Sequence, residues 1–252
     1  MASHELILDG TVLHAYYQPY HVNLTSGGRP PHQPTDFAVA GELLTRPVGV
    51  TTPVEDFFST LTVDQHFDVL TWHLELADEL AKEARALTSI NLHNSIIQEE
   101  KGRTMLMDAL RSFSTPLTFE FTETYPMPPQ DIANKLLRDI RRLGHTTALD
   151  DFGTGLNGMS LLTDFDFDVV KIDRSLTWDL GERLEKQRMM ALILKMLDVL
   201  GRDHVVEGVE DVEVYKLLLE IGYSQFQGFL FDTPVLIGDF MNRSRGVAEQ
   251  GE

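Results

Sequence analysis

The feature of this sequence that most limits its fold is a repeated alternation of helix-like and strand-like segments. Stretches with apolar residues at helical spacing are each followed by a short β-like run, and no Ser/Gly-rich linker separates them. Repeated helix–strand units favour a parallel sheet, and their number favours closure into a barrel, with a doubly wound open sheet as the alternative. We therefore predict an α/β fold, a (β/α)8 TIM-like barrel with an irregular antiparallel first strand. One domain is expected over residues 1–252, with a core at about 13–240 and short flexible termini.

The first two predicted strands flank a segment with the chemistry of a surface loop. Thr25–Thr35 contains two glycines and three prolines, and it has no assigned role. The predicted strands are Leu13–Pro19, Phe37–Leu44, Thr88–Leu92, Leu117–Phe121, Thr146–Leu149, Val169–Ile172, Val205–Val206 and Gln225–Phe229. The predicted helices are Asp64–Leu87, Ile96–Ser112, Pro129–Leu143, a short helix near Ser160, Glu182–Leu200 and Glu213–Ile221.

Composition and charge exclude several classes of function. With 39 acidic and 21 basic residues the net charge is −18, so the surface should repel nucleic-acid polymers, which are held by Lys and Arg on phosphates. The absence of cysteine excludes disulfides, thiolate zinc sites and a Cys nucleophile, and it is typical of a reducing compartment. No apolar run reaches about 18 residues and no secretory leader is visible, so we expect a cytoplasmic protein without a membrane segment.

Polar residues recur at or near the carboxyl ends of successive predicted strands. In a TIM-type barrel all of these ends open on one face, where catalytic groups gather, so the side chains should converge. Each acid alone is more often a helix N-cap or a solvated loop residue. The recurrence along six strands therefore carries the argument. The residues are Asn91, Glu120, Asp150, Asp151, Lys171, Glu207 and Gln227.

An ordered set of short motifs from about Tyr17 to Pro234 resembles the EAL-domain phosphodiesterases of cyclic di-GMP. The resemblance implies metal-dependent hydrolysis of cyclic di-GMP to linear pGpG by a water that two metal ions activate. The motifs are Tyr17-Gln18-Pro19, Gly41-Glu42-Leu43-Leu44-Thr45-Arg46, Ile90-Asn91-Leu92, Glu120-Phe121-Thr122-Glu123, Asp150-Asp151-Phe152-Gly153-Thr154-Gly155, Lys171-Ile172-Asp173, Glu207-Gly208-Val209-Glu210 and Gln227-Gly228-Phe229.

The resemblance also assigns the metal site. The ligands that the resemblance implies are oxygen atoms, without Cys or clustered His, and oxygen ligands suit Mg²⁺ or Mn²⁺ rather than zinc. Adjacent carboxylates such as Asp150 and Asp151 are stabilised by cations. Lys171 would orient the water or neutralise phosphate charge, and Glu207 would be general base or metal ligand. By resemblance, Glu42, Asn91, Glu120 and Asp150 hold one ion, and Asp150, Asp151 and Glu207 face the second.

Substrate contacts and a mobile loop are implied in the same way. Arg46 would hold a phosphodiester oxygen pair, although a surface Arg is an equal alternative. Gln18 and Gln227 would lie near the nucleotide or water, and Phe229 would stack on guanine unless it belongs to the core. The glycine-rich loop that includes Gly155 would act as a switch, steadied by Glu123 and Glu210. A homodimer is also implied.

The sequence departs from the family pattern at a few positions. Leu43 stands where Ala is usual, His93-Asn94 replaces a small hydroxyl residue, and Leu156-Asn157-Gly158 replaces aromatic and Ser residues. None of these changes removes a ligand, but they bear on rate and regulation. A catalytically silent module that binds cyclic di-GMP or a protein partner is therefore the alternative function, and an unrelated Mg²⁺-dependent barrel is a third. The nine histidines are scattered along the sequence and are interpreted as structural or solvated.

Overall fold

The structure, a computed structural model, describes residues 3–23, 39–122, 126–155 and 158–248. Its main feature is a single mixed sheet in the order β1-β2-β4-β5-β6-β7-β8-β9-β10-β3, with β11 paired to β2. The strands are β1 Glu5–Leu8, β2 Thr11–Pro19, β3 His21–Val22, β4 Val39–Pro47, β5 Ala86–Asn91, β6 Leu117–Thr122, β7 Thr146–Phe152, β8 Val169–Ile172, β9 Asp203–Val206, β10 Gln225–Phe226 and β11 Val235–Leu236.

This sheet closes on itself. Strand β2 pairs antiparallel with β4, all neighbours from β4 to β10 are parallel, and β3, which follows β2 directly, pairs with β10. The barrel therefore has one antiparallel position, made by β2 and β3 together. This confirms the predicted TIM-like barrel with an irregular first strand, and the open-sheet alternative is wrong. The insertion Thr25–Thr35 and the start of the predicted strand Phe37–Leu44 lie outside the described residues.

Helices cover the outside of the barrel and include the six that the sequence predicts, in the predicted order and with two informative differences. The helices Val54–Ser59, Arg174–Thr177 and Ile237–Ala248 were not predicted. Helix α2 ends before Leu87 because Arg85 adopts a left-handed conformation, and it begins with a capping box between Thr62 and Gln65. The predicted helix Ile96–Ser112 is broken at Glu99, whose backbone is extended. The helices are α1 Val54–Ser59, α2 Val63–Ala84, α3 Ser95–Gln98, α4 Glu100–Arg111, α5 Gln130–Arg142, α6 Gly158–Asp164, α7 Arg174–Thr177, α8 Leu184–Leu200, α9 Val212–Ile221 and α10 Ile237–Ala248.

Alternation along the strands separates the apolar core from the barrel interior. In β6, Phe119 and Phe121 are fully buried in the apolar core, whereas Thr118 and Glu120 line the interior of the barrel. Because successive side chains of a strand point to opposite faces, the inward positions form a separate, polar set. This polar interior leads to the candidate site. Within the described part of the chain, no helix combines the length and apolarity needed to cross a bilayer.

Candidate active site

The strand register brings the polar side chains of the sequence motifs side by side. Gln18 of β2 lies opposite Glu42 of β4, and Asn91 of β5 lies opposite Glu120 of β6. Because β4 to β9 are parallel, the carboxyl ends of these strands share one mouth of the barrel. Residues far apart in the chain therefore meet there.

Lys171 is the centre of this mouth. Its side chain is only 2% exposed, and its Nζ lies 3.1 Å from Glu42 Oε2 and 2.7 Å from Glu120 Oε2. The same nitrogen lies 3.0 Å from Asp150 Oδ1 and 2.7 Å from Glu207 Oε1. One cation thus faces four carboxyl groups. If all four are ionised, the cluster has an excess of negative charge that further cations would neutralise.

The titration of the cluster follows from burial and from this imbalance of charge. Burial, together with the charge of Glu42, raises the pKa of Glu120 to about 8, and burial raises the pKa of Glu207 well above its usual range. Glu42 differs from them: burial acts to raise its pKa, but Lys171 and hydrogen bonds from Gln227 and Asn91 lower it overall. Although burial opposes it, the four carboxylates hold the pKa of Lys171 well above normal. Lys171 is therefore a charged ammonium, and Glu120 takes up a proton before Glu42.

A bulge in β7 turns two consecutive aspartates toward the mouth. The pairing between β7 and β8 shifts register between Leu149 and Phe152, and Asp151 has a positive φ of 57°. Bulges change the direction of side chains next to active sites. A non-glycine residue in the left-handed backbone conformation stores strain. Burial and the charge of Asp150 raise the pKa of Asp151 to about 6. Asp150, Asp151 and Glu207 offer oxygen atoms that all lie within 4.8 Å of one another, an arrangement that can hold a metal ion.

Two amide side chains hydrogen-bond Glu42 directly, and a third acts through one of them. Asn91 Nδ2 donates to Glu42 Oε1 at 2.8 Å, and Gln227 Nε2 donates to Glu42 Oε2 at 3.0 Å. The same Gln227 nitrogen lies 3.0 Å from Gln18 Oε1, and Gln18 Nε2 donates to the carbonyl of Asp232 at 2.9 Å. Gln18 and Gln227 thus form a chain of hydrogen bonds that ends on a carboxylate of the cluster.

A cavity of about 540 Å³ extends from the carboxylates, and Arg46 lies on its wall. The Arg46 side chain is exposed, and its Nη1 donates to the carbonyl of Thr45. Phe229 follows Gln227 closely and is 61% exposed, so it does not belong to the core. Arg46 is therefore accessible from the cavity, and Phe229 is accessible to solvent but is not among the residues that line the cavity.

The predicted loop residues stand apart from the cluster. Glu123 lies outside the described residues, and Gly155 is exposed at the end of the described part of its loop. The Glu210 carboxylate lies 3.7 Å from Arg174 Nη1, and both side chains are more than half exposed. Glu210 is therefore paired with Arg174 on the rim and is not one of the carboxyl groups around Lys171.

Two polar contacts were not anticipated from the sequence. The Tyr20 hydroxyl lies 2.5 Å from Ser89 Oγ and donates to Glu120 Oε1 at 3.0 Å. Thr122 Oγ1 donates to Asp151 Oδ2 at 3.3 Å, and Thr122 is two residues beyond Glu120 on the same face of β6. This period of two marks Thr122 in the sequence, whereas Tyr20 lies beyond the end of β2 and carries no such signal.

Comparison with known proteins gives a consistent result. The EAL domain family model matches residues 11–234. The cyclic di-GMP phosphodiesterase RocR of Pseudomonas aeruginosa is 30% identical over 255 residues, which cover 95% of this chain and 62% of RocR. The signaling protein YkoW of Bacillus subtilis is 30% identical over 179 residues, which cover 67% of this chain and 22% of YkoW. The chain thus spans less than two thirds of the length of these relatives.

Solved structures share the fold. An EAL domain protein from Listeria monocytogenes superposes with a TM-score of 0.74 at 23% identity, covering 92% of both chains. BlrP1 of Klebsiella pneumoniae, in a complex with manganese and cyclic di-GMP, superposes with a TM-score of 0.70 at 29% identity. That match covers 88% of this chain and 56% of BlrP1.

Proposed function

This chain belongs to the EAL domain family, and on that premise we propose that it hydrolyses cyclic di-GMP to linear pGpG with the help of two divalent cations. The observation that carries the proposal is the arrangement of Lys171 among four carboxylates beside a cavity of about 540 Å³. A cavity of this size is typical of small-molecule sites. The names of RocR and of the BlrP1 complex support the choice of substrate.

The donor set fits Mg²⁺ or Mn²⁺. Its atoms are carboxylate and amide oxygens, and burial raises the pKa of Asp150 and of Glu207, so cations would relieve a real cost. Bound divalent ions supply charge for the phosphate oxygens and lower the pKa of the attacking water. The residues that would hold the first ion are Glu42, Asn91, Glu120 and Asp150, and those for the second are Asp150, Asp151 and Glu207.

The proposed reaction breaks one phosphodiester bond. The water oxygen forms a bond to phosphorus and the bond from phosphorus to a 3′ oxygen breaks. That oxygen takes a proton from solvent and leaves as a hydroxyl group, while the proton of the attacking water returns to solvent through the general base. Bound cations would lower the pKa of Glu207 that burial raises, so that its carboxylate accepts the proton of the attacking water. Lys171, whose Nζ is 2.7 Å from Glu207 Oε1, stabilises the negative charge on the phosphate. Both roles need the fixed geometry that burial gives these side chains.

Contacts to the nucleotide are assigned by accessibility. Arg46 is exposed on the cavity wall, so its guanidinium can turn to the phosphodiester oxygens, and the exposed ring of Phe229 can stack on guanine. Gln18 and Gln227 are both 6% exposed and hydrogen-bonded to each other. Their contacts support a role in positioning Glu42 for the metal, with the nucleotide held by the more exposed residues.

The test is direct hydrolysis of cyclic di-GMP by the purified chain with Mg²⁺ or Mn²⁺, followed as pGpG by chromatography. The wild type should form product only with the cation, and Glu42→Ala and Glu207→Gln should abolish it. Glu213→Gln is the matched control, because Glu213 is an exposed acid paired with Lys216. It should keep full activity.

The same experiment distinguishes the enzyme from the second candidate, a silent cyclic di-GMP receptor or protein-binding regulator. Every position implied for metal binding and catalysis carries a competent side chain, which favours the enzyme. A folded wild type that binds cyclic di-GMP without forming pGpG would establish the receptor instead. A homodimer and a cytoplasmic location remain proposals; sedimentation of the purified chain tests the first, and cell fractionation tests the second.

A further inference from the structure

The two buried glutamates of the carboxylate cluster are held by different groups. Glu42 is hydrogen-bonded by amide side chains, as described above. Glu120 is 1% exposed, and its Oε2 lies 2.7 Å from Lys171 Nζ. Its other oxygen, Oε1, accepts a hydrogen bond from the Tyr20 hydroxyl at 3.0 Å. The terminal torsion of a glutamate is broad by itself, so contacts at both oxygens are what fix the direction of this carboxylate.

Tyr20 reaches Glu120 from the side of the barrel that lies opposite the mouth. Tyr20, Glu120 and Lys171 line a small cavity of about 60 Å³ inside the barrel. Its lining also includes the first residues of three parallel strands, namely Thr146 of β7, Val169 of β8 and Asp203 of β9. The small cavity thus lies toward the amino ends of the strands, whereas Glu120 also lines the larger cavity at their carboxyl ends. The Tyr20 hydroxyl therefore does not occupy the side of Glu120 that faces the mouth.

The Tyr20 hydroxyl is itself held in place by the neighbouring strands. The backbone N–H of Tyr20 donates to the carbonyl of Ala40 at 2.7 Å, which ties the residue to β4. The hydroxyl oxygen lies 2.5 Å from Ser89 Oγ of β5. Because a phenol has one proton and Tyr20 gives it to Glu120, Ser89 is the donor in this pair. The fold therefore supplies a chain of hydrogen bonds that runs from Ser89 through Tyr20 to Glu120.

We infer that Tyr20 is a positioning residue for the first ion: its hydroxyl fixes Glu120 Oε1 while Lys171 fixes Oε2, so that the carboxylate faces the ion. Removing a group that hydrogen-bonds a metal ligand commonly lowers metal affinity about 10- to 100-fold. A carboxylate oxygen has two lone pairs, so Glu120 can keep both contacts and still bind an ion. This inference rests on the proposed two-ion site, and it gives a role to a residue for which the strand pattern carries no signal.

Two variants and a control separate positioning from stability. Tyr20→Phe removes only the hydroxyl, and Ser89→Ala removes the group that holds this hydroxyl. Tyr223→Phe is the control, because the buried Tyr223 hydroxyl donates to the carbonyl of Met190 at 2.9 Å, and Met190 belongs to α8 on the outside of the barrel. Mn²⁺ binding to each purified chain is measured by calorimetry, and urea unfolding in EDTA is measured beside it.

Tyr20→Phe should raise the Kd of one of the two Mn²⁺ ions about tenfold and leave the other within about twofold. Ser89→Ala should raise the same Kd by a smaller factor. Tyr223→Phe also loses one buried hydrogen bond, so it should lose comparable stability in EDTA while it binds Mn²⁺ as the wild type does. In the hydrolysis assay, Tyr20→Phe should need about ten times more Mn²⁺ for half its maximal rate, with KM for cyclic di-GMP at saturating Mn²⁺ changed by less than about twofold.

The outcomes distinguish this inference from the proposed function. Equal Mn²⁺ affinities of Tyr20→Phe and Tyr223→Phe would overturn the inference alone. If the wild type binds Mn²⁺ but forms no pGpG, the hydrolase proposal falls, and the calorimetric comparison of the two variants still decides the inference. If the wild type binds no Mn²⁺, both proposals fall.

Discussion

Replacing Lys171 by Met tests whether one buried ammonium holds the site together. The substitution keeps most of the side-chain volume but removes the charge that lies 2.7 Å from both Glu120 and Glu207. Breaking a buried ion pair on one side costs about 3–5 kcal/mol, because the remaining charge is buried without compensation. Typical domains have about 5–15 kcal/mol of total stability, so the metal-free variant should fold weakly.

The pH dependence of this loss has a defined sign. Burial first, then the charge of Glu42, raises the pKa of Glu120 to about 8, above the ordinary value of 4.5. A carboxyl group with a raised folded pKa contributes stability below its unfolded pKa, and the contribution is lost as pH rises through the folded pKa. Removing the positive charge of Lys171 raises the pKa of Glu120 further. The variant should therefore lose more at about pH 8 than at about pH 6.

The assay is urea unfolding in the presence of EDTA, with the free energy of unfolding taken by linear extrapolation. Lys135→Met is the matched control: Lys135 Nζ lies 2.8 Å from Asp139 but the lysine side chain is 74% exposed, so it should cost less than about 1 kcal/mol. Mn²⁺ should raise the unfolding free energy of Lys171→Met more than that of the wild type. Bound ligand stabilises by mass action, and in the variant the cation also replaces the missing positive charge. If Lys171→Met loses no more than Lys135→Met, the reasoning is refuted.

Three further predictions concern the surroundings of the cluster. Asp151→Asn should keep the left-handed backbone and stabilise the metal-free chain by about 1 kcal/mol above neutral pH, while calorimetry shows weaker Mn²⁺ binding. Tyr20→Phe removes a donor to Glu120 and should cost about 1–3 kcal/mol in urea unfolding; no change would mean that the contact is immaterial. Because burial lowers the pKa of His73 to about 4 from 6.5, acid favours the unfolded chain. The contribution of His73 to the unfolding free energy should fall by about 1 kcal/mol from about pH 7.5 to 5.5, so urea unfolding should show a change with pH in His73→Phe that differs from the wild-type change by about that amount.

The order of elements could be predicted because each unit carries its own signal. The strand Leu117–Phe121 differs from the observed β6 by one residue, and its apolar and polar positions alternate as the barrel requires. The break at Glu99 could not be predicted, because the apolar period continues across it. At Gly102, a Cβ atom would lie 1.9 Å from the carbonyl oxygen of Ile96, so the break depends on close packing of α3 on α4. That approach exists only in three dimensions.

The candidate site shows the same division. The polar residues at strand ends could be found from local patterns, but their contacts could not: Lys171 and Glu42 are 129 positions apart, and only the barrel register joins them. The backbone of Asp151 was equally hidden, since nothing in Asp150-Asp151 marks which residue takes the left-handed conformation. The three histidines that line the cavity carry only a partial signal: His66 and His73 share one face of α2 at a spacing of seven residues, whereas His93 follows β5 and joins them only in the fold.

These differences have a common physical cause. Local sequence patterns reflect what stabilises a single element, such as a capped helix or an alternating strand. A functional site instead contains groups whose burial or strain destabilises the fold. Four buried carboxyl groups around Lys171 and a strained Asp151 are costs that no isolated segment would select. The apolar core between the barrel and the helices offsets these costs, so the packing of the core holds the carboxyl groups and Asp151 in place. Because the same carboxyl groups would gain most from bound cations, neutralising one of them should raise the stability of the metal-free chain and lower its metal affinity.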